Sequence, residues 1–309
     1  MPLLLGLPIA LVLSFLGCRA WLLHRRSPRK HQEPFDGVVY AVGKAAVADR
    51  GPAAPEVTVV AMHGFLEDMR YFTEHYRQPE LQLVLVNSCD YHVPFGDGAP
   101  LPARWAKTPA ATEGSVRYDA EVLNQALEHL PRSKRIRVHG HSRGGAVILE
   151  AASMRPDLFE NVQVVLEAPV LPRGKPYQPL SAAALFLFPF GVPLWRRQPI
   201  SPRNAGAYGA LENARKRELI EALPFHPKHV AVMMANLEGI GAWMAERDAS
   251  LLARVKGVVL VPDRDRVLDA DSMRASAALG APNLEITELA GCSHFVLFDR
   301  PDALPPLPA

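Results

Sequence analysis

The chain has 309 residues, 49% of them apolar and 21% charged, with a mean hydropathy of +0.01. That composition can bury a sizeable core and excludes a disordered, collagen-like or coiled-coil chain. The formal charge of +2 hides an asymmetry, because Arg19, Arg25, Arg26, Arg29 and Lys30 stand in the first 31 residues without one acid, leaving the remainder slightly acidic and giving no reason to expect a nucleic-acid partner.

From Leu3 to Leu23 the only charged residue is Arg19. A helix over that stretch would be about 31 Å long, close to the hydrocarbon thickness of a bilayer. Residues 1–31 are therefore expected to be a membrane anchor with a basic flank, and the positive-inside rule puts the following domain on the cytoplasmic side. Two alternatives remain open: an exported or lipidated form, with Phe15-Leu16-Gly17-Cys18 as a poor lipoprotein cleavage box, and a helix buried on the domain itself. The polar stretch His24 to Asp36, bounded by Pro28 and Pro34, reads as a linker.

Val38 to Val47 is expected to form a strand or hairpin, followed by a turn from Ala48 to Pro55. Val57–Met62 and Leu81–Val86 are short, apolar and β-branched, as parallel strands covered on both faces require. Val116, Ala120, Leu123, Leu127 and Leu130 recur at three- and four-residue steps and predict a helix between Glu113 and Leu130. Ile136–His139 reads as strand, Gly144–Ser153 as helix and Val162–Leu166 as strand. Val258–Val261 then reads as strand, Asp271–Leu279 as helix and Leu284–Leu289 as strand. This alternation predicts a mainly parallel, doubly wound α/β sheet. The stretch 172–249 breaks the rhythm and reads as a helical cap inserted between core segments 32–171 and 250–309. Cys18, Cys89 and Cys292 are odd in number and lack CxxC spacing, so neither a disulfide framework nor a zinc site is expected.

Gly140-His141-Ser142-Arg143-Gly144 satisfies G-x-S-x-G between a predicted strand and a predicted helix. Glycines on both sides permit a sharp turn that lifts the hydroxyl above the sheet edge; the plain alternative is a glycine-rich turn with a capping serine. A serine nucleophile needs a base, and His294 follows the last predicted strand. The imidazole needs a carboxylate to fix its tautomer, and Asp263, Asp265 and Asp269 follow the preceding strand. Chain order is then nucleophile, acid, histidine.

With Met62-His63-Gly64-Phe65 after an early strand, Pro262-Asp263-Arg264-Asp265-Arg266-Val267 after a late one and Gly291-Cys292-Ser293-His294-Phe295 near the end, the chain resembles the α/β-hydrolase fold serine esterases and lipase-like enzymes from Val38 to Leu304. The resemblance implies that Asp265, one residue before Arg266 and Val267, is the triad acid rather than Asp263. It also implies an oxyanion hole from the amides of Phe65 and Arg143, with Leu66 as the alternative donor, and structural roles for His63 and His141. The implied reaction is hydrolysis of a carboxylic ester through an acyl-enzyme, with no cofactor or metal; a thioesterase, amidase or peptidase, or a silent binding protein of the same fold, are the alternatives. The apolar runs Ala182–Trp195 and Val230–Met244 read either as packing for the cap or as the roof of an acyl pocket, and they tilt the expected substrate toward a hydrophobic or lipid-like small-molecule ester.

Overall fold

The computed structural model describes residues 2–96 and 98–309, with residues 2–7 described by backbone alone. A helix, α1 (Pro2–His24), precedes the sheet, which begins with a hairpin of β1 (Val38–Val42) and β2 (Ala45–Arg50). β3 (Val57–Met62), β4 (Leu81–Asn87), β5 (Leu101–Pro102), β6 (Ile136–His141), β7 (Val162–Glu167), β8 (Lys256–Pro262) and β9 (Leu284–Leu289) follow. Together they form one nine-stranded sheet in the order β5-β1-β2-β4-β3-β6-β7-β8-β9. β2 runs antiparallel to both β1 and β4, and every other pairing is parallel. β3 and β4 are buried at every position, which is why their sequences are apolar runs rather than alternations. The hairpin forms where the sequence reads one, although β2 extends into the expected turn. β5 has only two residues and therefore no periodicity to read.

Helices α2 (Val116–His129) and α3 (Arg143–Met154) pack together on the sheet. The Ser115 side chain caps α2 by accepting from Tyr118 N. Between β7 and β8 the chain leaves the sheet for α4 (Ala182–Arg197), α5 (Ala205–Tyr208), α6 (Ala214–Ala222) and α7 (Val230–Glu246). It returns through β8, α8 (Ala270–Ala277), β9 and α9 (Val296–Asp299). This insertion is fastened to the core by polar contacts as well as apolar ones. Trp243 Nε1 donates to Glu150 on α3 at 3.1 Å, Arg247 pairs with the same carboxylate at 2.8 Å, and Asn236 Nδ2 donates to Gly114 O at 2.6 Å. Val230, Met233, Met234, Trp243 and Met244 of α7 are buried, so this run packs the insertion onto the core. α4 differs: only Pro189 and Val192 are buried.

The expected membrane span is not borne out, since among the described residues no helix is long and apolar enough to cross a membrane. The side chains of Leu3 to Leu7, the outer part of that expectation, lie outside the described ones. α1 meets α4 and α7 instead, with the Phe15 ring stacked on Phe190 at 4.8 Å and Arg19 Nε donating to Phe186 O. The stretch read as a linker is also tied to the domain: Ser27 N donates to Lys228 O, Glu33 N donates to Pro94 O, and the Glu33 carboxylate pairs with Arg215.

Trp243 is buried and hydrogen-bonded at the junction of insertion and core. Trp243→Ala should lower the unfolding free energy by about 3–5 kcal/mol, the cost of a large core deletion, read by urea denaturation.

Candidate active site

Parallel strands deliver their C-terminal ends to one edge of the sheet, and the chemistry-bearing loops sit there. β3 pairs with β6 so that Met62 faces Gly140, and β6 pairs with β7 so that His141 faces Glu167. His63 and Ser142 thus leave adjacent strands side by side.

Ser142 adopts φ +52° and ψ −117°, outside the regions favoured by a side-chain-bearing residue. Such a conformation costs about 1–3 kcal/mol and persists only where the surroundings impose it. Here Ser142 N donates to Glu167 O at 2.9 Å, and Ser142 O accepts from Gly145 N and Val170 N. The neighbouring glycines are sterically required. A Cβ on Gly144 would stand 2.1 Å from Met62 O, and one on Gly140 would stand 2.5 Å from Ile148 Cδ1. The turn presents Ser142 at the N-terminus of α3 with the residue only 5% exposed.

Asp265 Oδ2 accepts from His294 Nδ1 at 2.6 Å, and both residues are buried. Its other oxygen accepts from Val267 N and Leu268 N, which fixes the carboxylate. Asp263 instead accepts from Cys292 N, and Asp269 caps α8 by accepting from Ser272 N, so of the three aspartates Asp265 alone meets the His294 ring. No hydrogen bond of 3.5 Å or less joins Ser142 Oγ to His294 Nε2 among the described residues. His141, the residue before Ser142, meets His294: its Nε2 donates to His294 O at 2.9 Å and its ring centroid lies 4.8 Å from that of His294.

The Leu66 amide donates to Tyr91 Oη at 3.2 Å, and Tyr91 in turn donates to Asn236 of the insertion. Leu66 is thereby committed, whereas among the described hydrogen bonds the Phe65 and Arg143 amides meet no protein acceptor. Gly64 lies against the Ser142 turn: a Cβ there would come within 2.9 Å of Ser142 Cβ. His63 is buried, and burial lowers its pKa despite the Gly64 carbonyl and the Glu67 charge. Its Nδ1 faces Gly64 O and its Nε2 accepts from Ser88 N, so a neutral ring braces the loop.

Three contributors carry no motif in the sequence. The first is Glu67, whose Oε2 accepts from Gly64 N at 2.7 Å and from His141 Nδ1 at 2.7 Å. With Nδ1 on a carboxylate and Nε2 on a carbonyl, His141 donates from both nitrogens. Burial opposes the charged ring, but the Glu67 and Glu167 carboxylates and these hydrogen bonds outweigh it and raise the His141 pKa to about 9. The second is Glu167, which accepts from Tyr71 Oη, His139 Nε2 and Leu297 N. Burial disfavours its charge, yet His141 and the His139 and Tyr71 hydrogen bonds hold it at about 2. The third is the Arg143 side chain, buried against Asp119 at 2.6 Å, which ties the start of α3 to α2.

A cavity of about 850 Å³ opens beside Asp265, lined by Tyr177, Asn213, Arg266, Ser293 and Asp299 among others. Neither Ser142 nor His294 lies on its wall, so it is not the space over the hydroxyl. Among the described residues no group of three or more His, Cys, Asp or Glu side chains is arranged to hold a metal ion.

The sequence profile of the Alpha/beta hydrolase family matches residues 59–304, and the chain belongs to that family. The search of curated proteins yields no match. Among solved structures, the fold is similar to 2-hydroxy-6-oxo-6-phenylhexa-2,4-dienoate hydrolase from Rhodococcus sp. strain RHA1, with a TM-score of 0.59 and 17% identity over 86% of this chain and 94% of that one. It is also similar to a thermophilic esterase from Thermogutta terrifontis, with a TM-score of 0.56 and 18% identity over 84% and 89% of the two chains. An esterase from Exiguobacterium antarcticum gives a TM-score of 0.58 and 13% identity over 86% and 95%.

Two predictions follow from this buried scaffold. Arg143→Ala leaves Asp119 charged and unpaired in the core and should cost about 3–5 kcal/mol in chemical denaturation. His141, with its pKa raised above the ordinary value near 6.5, contributes stability that is complete below that value and is lost as pH rises through about 9. The difference in unfolding free energy between wild type and His141→Gln should accordingly shrink from pH 6 to pH 9.5.

Proposed function

We propose that the protein is a serine hydrolase that cleaves a hydrophobic carboxylic ester through an acyl-enzyme. The observation that carries this reading is the 2.6 Å hydrogen bond between Asp265 and His294 on the loop that His141 holds beside the strained Ser142. Ser142 Oγ attacks the carbonyl carbon while His294 Nε2 takes its proton, and Asp265 keeps the tautomer correct and stabilises the imidazolium. The Phe65 and Arg143 amides, which meet no other acceptor among the described residues, receive the developing oxyanion. Collapse of the tetrahedral intermediate breaks the C–O bond, with the imidazolium proton passing to the departing alkoxide. Water then attacks the acyl-enzyme with His294 as base, releasing the acid and restoring Ser142.

The names of the Thermogutta and Exiguobacterium structures, both esterases, favour an ester among the possible acyl substrates. A hydrophobic one is favoured by the apolar cluster that joins Leu66, Tyr71 and Phe295 to Val192, Met233 and Met234 of the insertion.

A fluorophosphonate probe should label Ser142 stoichiometrically, and Ser142→Ala should abolish labelling without loss of fold. Asp265→Asn should retain the fold and lower kcat by about 10³–10⁴-fold. A folded wild-type sample that resists the probe would overturn the proposal. With p-nitrophenyl esters, kcat/KM should rise from acetate to medium-chain acyl groups; cleavage of acetate alone would contradict the hydrophobic substrate.

A further inference from the structure

Large apolar side chains that stand exposed are concentrated on two helices that touch each other. On α1, Ile9, Leu11, Val12, Leu13 and Leu16 are 45–63% exposed. On α4, which has no polar residue from Ala182 to Trp195, Phe186, Leu187 and Leu194 are 41–67% exposed. The two sets form one surface, because Phe15 stacks on Phe190 and the Arg19 guanidinium lies 4.3 Å over the Phe186 ring. Contiguous apolar surface of this kind is unfavourable in water and marks a docking site.

The charge around it identifies the occupant. From residue 1 to 32, and again from 168 to 211, the sequence contains no Asp or Glu. Within those stretches Arg25, Arg26, Arg29 and Arg197 are exposed, and among the described residues none of them forms an ion pair. Arg196 donates to Ser27, which brings the basic end of α4 to the basic segment that follows α1. An apolar face whose own two segments carry cations and no acid complements an anionic phospholipid surface, whose acyl region takes the apolar side chains while its headgroups meet the arginines. Among the described residues no helix is long and apolar enough to cross a membrane, which fits a surface contact.

We propose that the α1–α4 face docks the protein onto anionic lipid bilayers, peripherally and without spanning them. The binding stands apart from the chemistry; only its consequence, that a hydrophobic ester reaches Ser142 from the lipid phase, rests on the hydrolase reading. The insertion that carries α4 also carries α7, whose Asn236 is linked through Tyr91 to the Leu66 amide, so the docking face and the candidate site share one insertion.

The test is co-sedimentation of the full chain with vesicles of phosphatidylcholine containing 25% phosphatidylglycerol. Wild type and Ser142→Ala should bind equally, with affinity at least tenfold greater than for pure phosphatidylcholine and weakened by salt. The double variant Leu13→Glu with Leu187→Glu, both at exposed positions, should lose at least tenfold while keeping its thermal midpoint, and Arg25→Glu with Arg26→Glu should lose the preference for the anionic lipid. Binding unaffected by either pair of substitutions would overturn the proposal. So would a protein that stays in the supernatant as a dimer dissolved by Leu187→Glu, which would make a second copy the occupant. Retention in membranes after alkaline carbonate washing would overturn the peripheral mode. Vesicle binding with no probe labelling at Ser142 would leave this proposal standing and sink the hydrolase reading alone.

Discussion

The carboxylate of Glu67 is the constraint on which the candidate site depends. It takes the Gly64 amide from the loop after β3 and the His141 ring from the residue before Ser142; the far side of that ring grips the His294 carbonyl. One buried ion pair therefore sets the mutual positions of three loops that are distant in the chain. Buried pairs of this sort add little net stability over apolar packing, but they are costly to break, and they specify one arrangement among many. For a reaction whose rate falls steeply with misplacement of the reacting groups, specification matters more than stability.

The strained turn at Ser142 is maintained by the same logic. Its backbone is fixed from three directions, and the glycines beside it leave no room for a Cβ. Beneath it, Tyr71 stacks on His141 at 4.3 Å and donates to Glu167, while Glu167 also receives His139 and the Leu297 amide. All three histidines are buried: at His63 and His139 burial pushes the pKa down despite a carbonyl or carboxylate partner, whereas at His141 the Glu67 and Glu167 carboxylates and the His294 carbonyl together outweigh it. The insertion closes over this assembly, with Tyr91 and Asn236 linking α7 to the Leu66 amide.

The sheet was legible because its central strands are buried on both faces and therefore read as apolar runs, and the elbow because its glycines are demanded by contacts with Met62 and Ile148. His294 and a set of three aspartates could be named because each follows a strand at the same edge, and the choice of Asp265 among them came from the family resemblance. The Glu67–His141 and Arg143–Asp119 pairs could not, since isolated charges carry no spacing signal and their meaning arises only when loops converge. The apolar run of α4 read either as packing or as a pocket roof in the sequence; Leu185, Phe188, Val192 and Trp195 do pack on an apolar cluster, yet Phe186, Leu187 and Leu194 stay exposed, because hydropathy alone does not tell a face that meets the core from one that meets something else. Likewise the apolar stretch of α1 matched a bilayer in length, but no described helix suffices to cross one.

No hydrogen bond joins the Ser142 hydroxyl to the His294 ring among the described residues, and catalytic hydrogen bonds often form or tighten only when a reacting group is bound. A crystal structure of the protein after reaction with a phosphonate ester bears on this most directly. The phosphorus should be bonded to Ser142 Oγ, with His294 Nε2 within about 3 Å of an oxygen on it and the phosphoryl oxygen about 2.7–3.1 Å from the Phe65 and Arg143 amides. A phosphonate attached elsewhere, or a His294 ring still out of reach of the adduct, would contradict the mechanism.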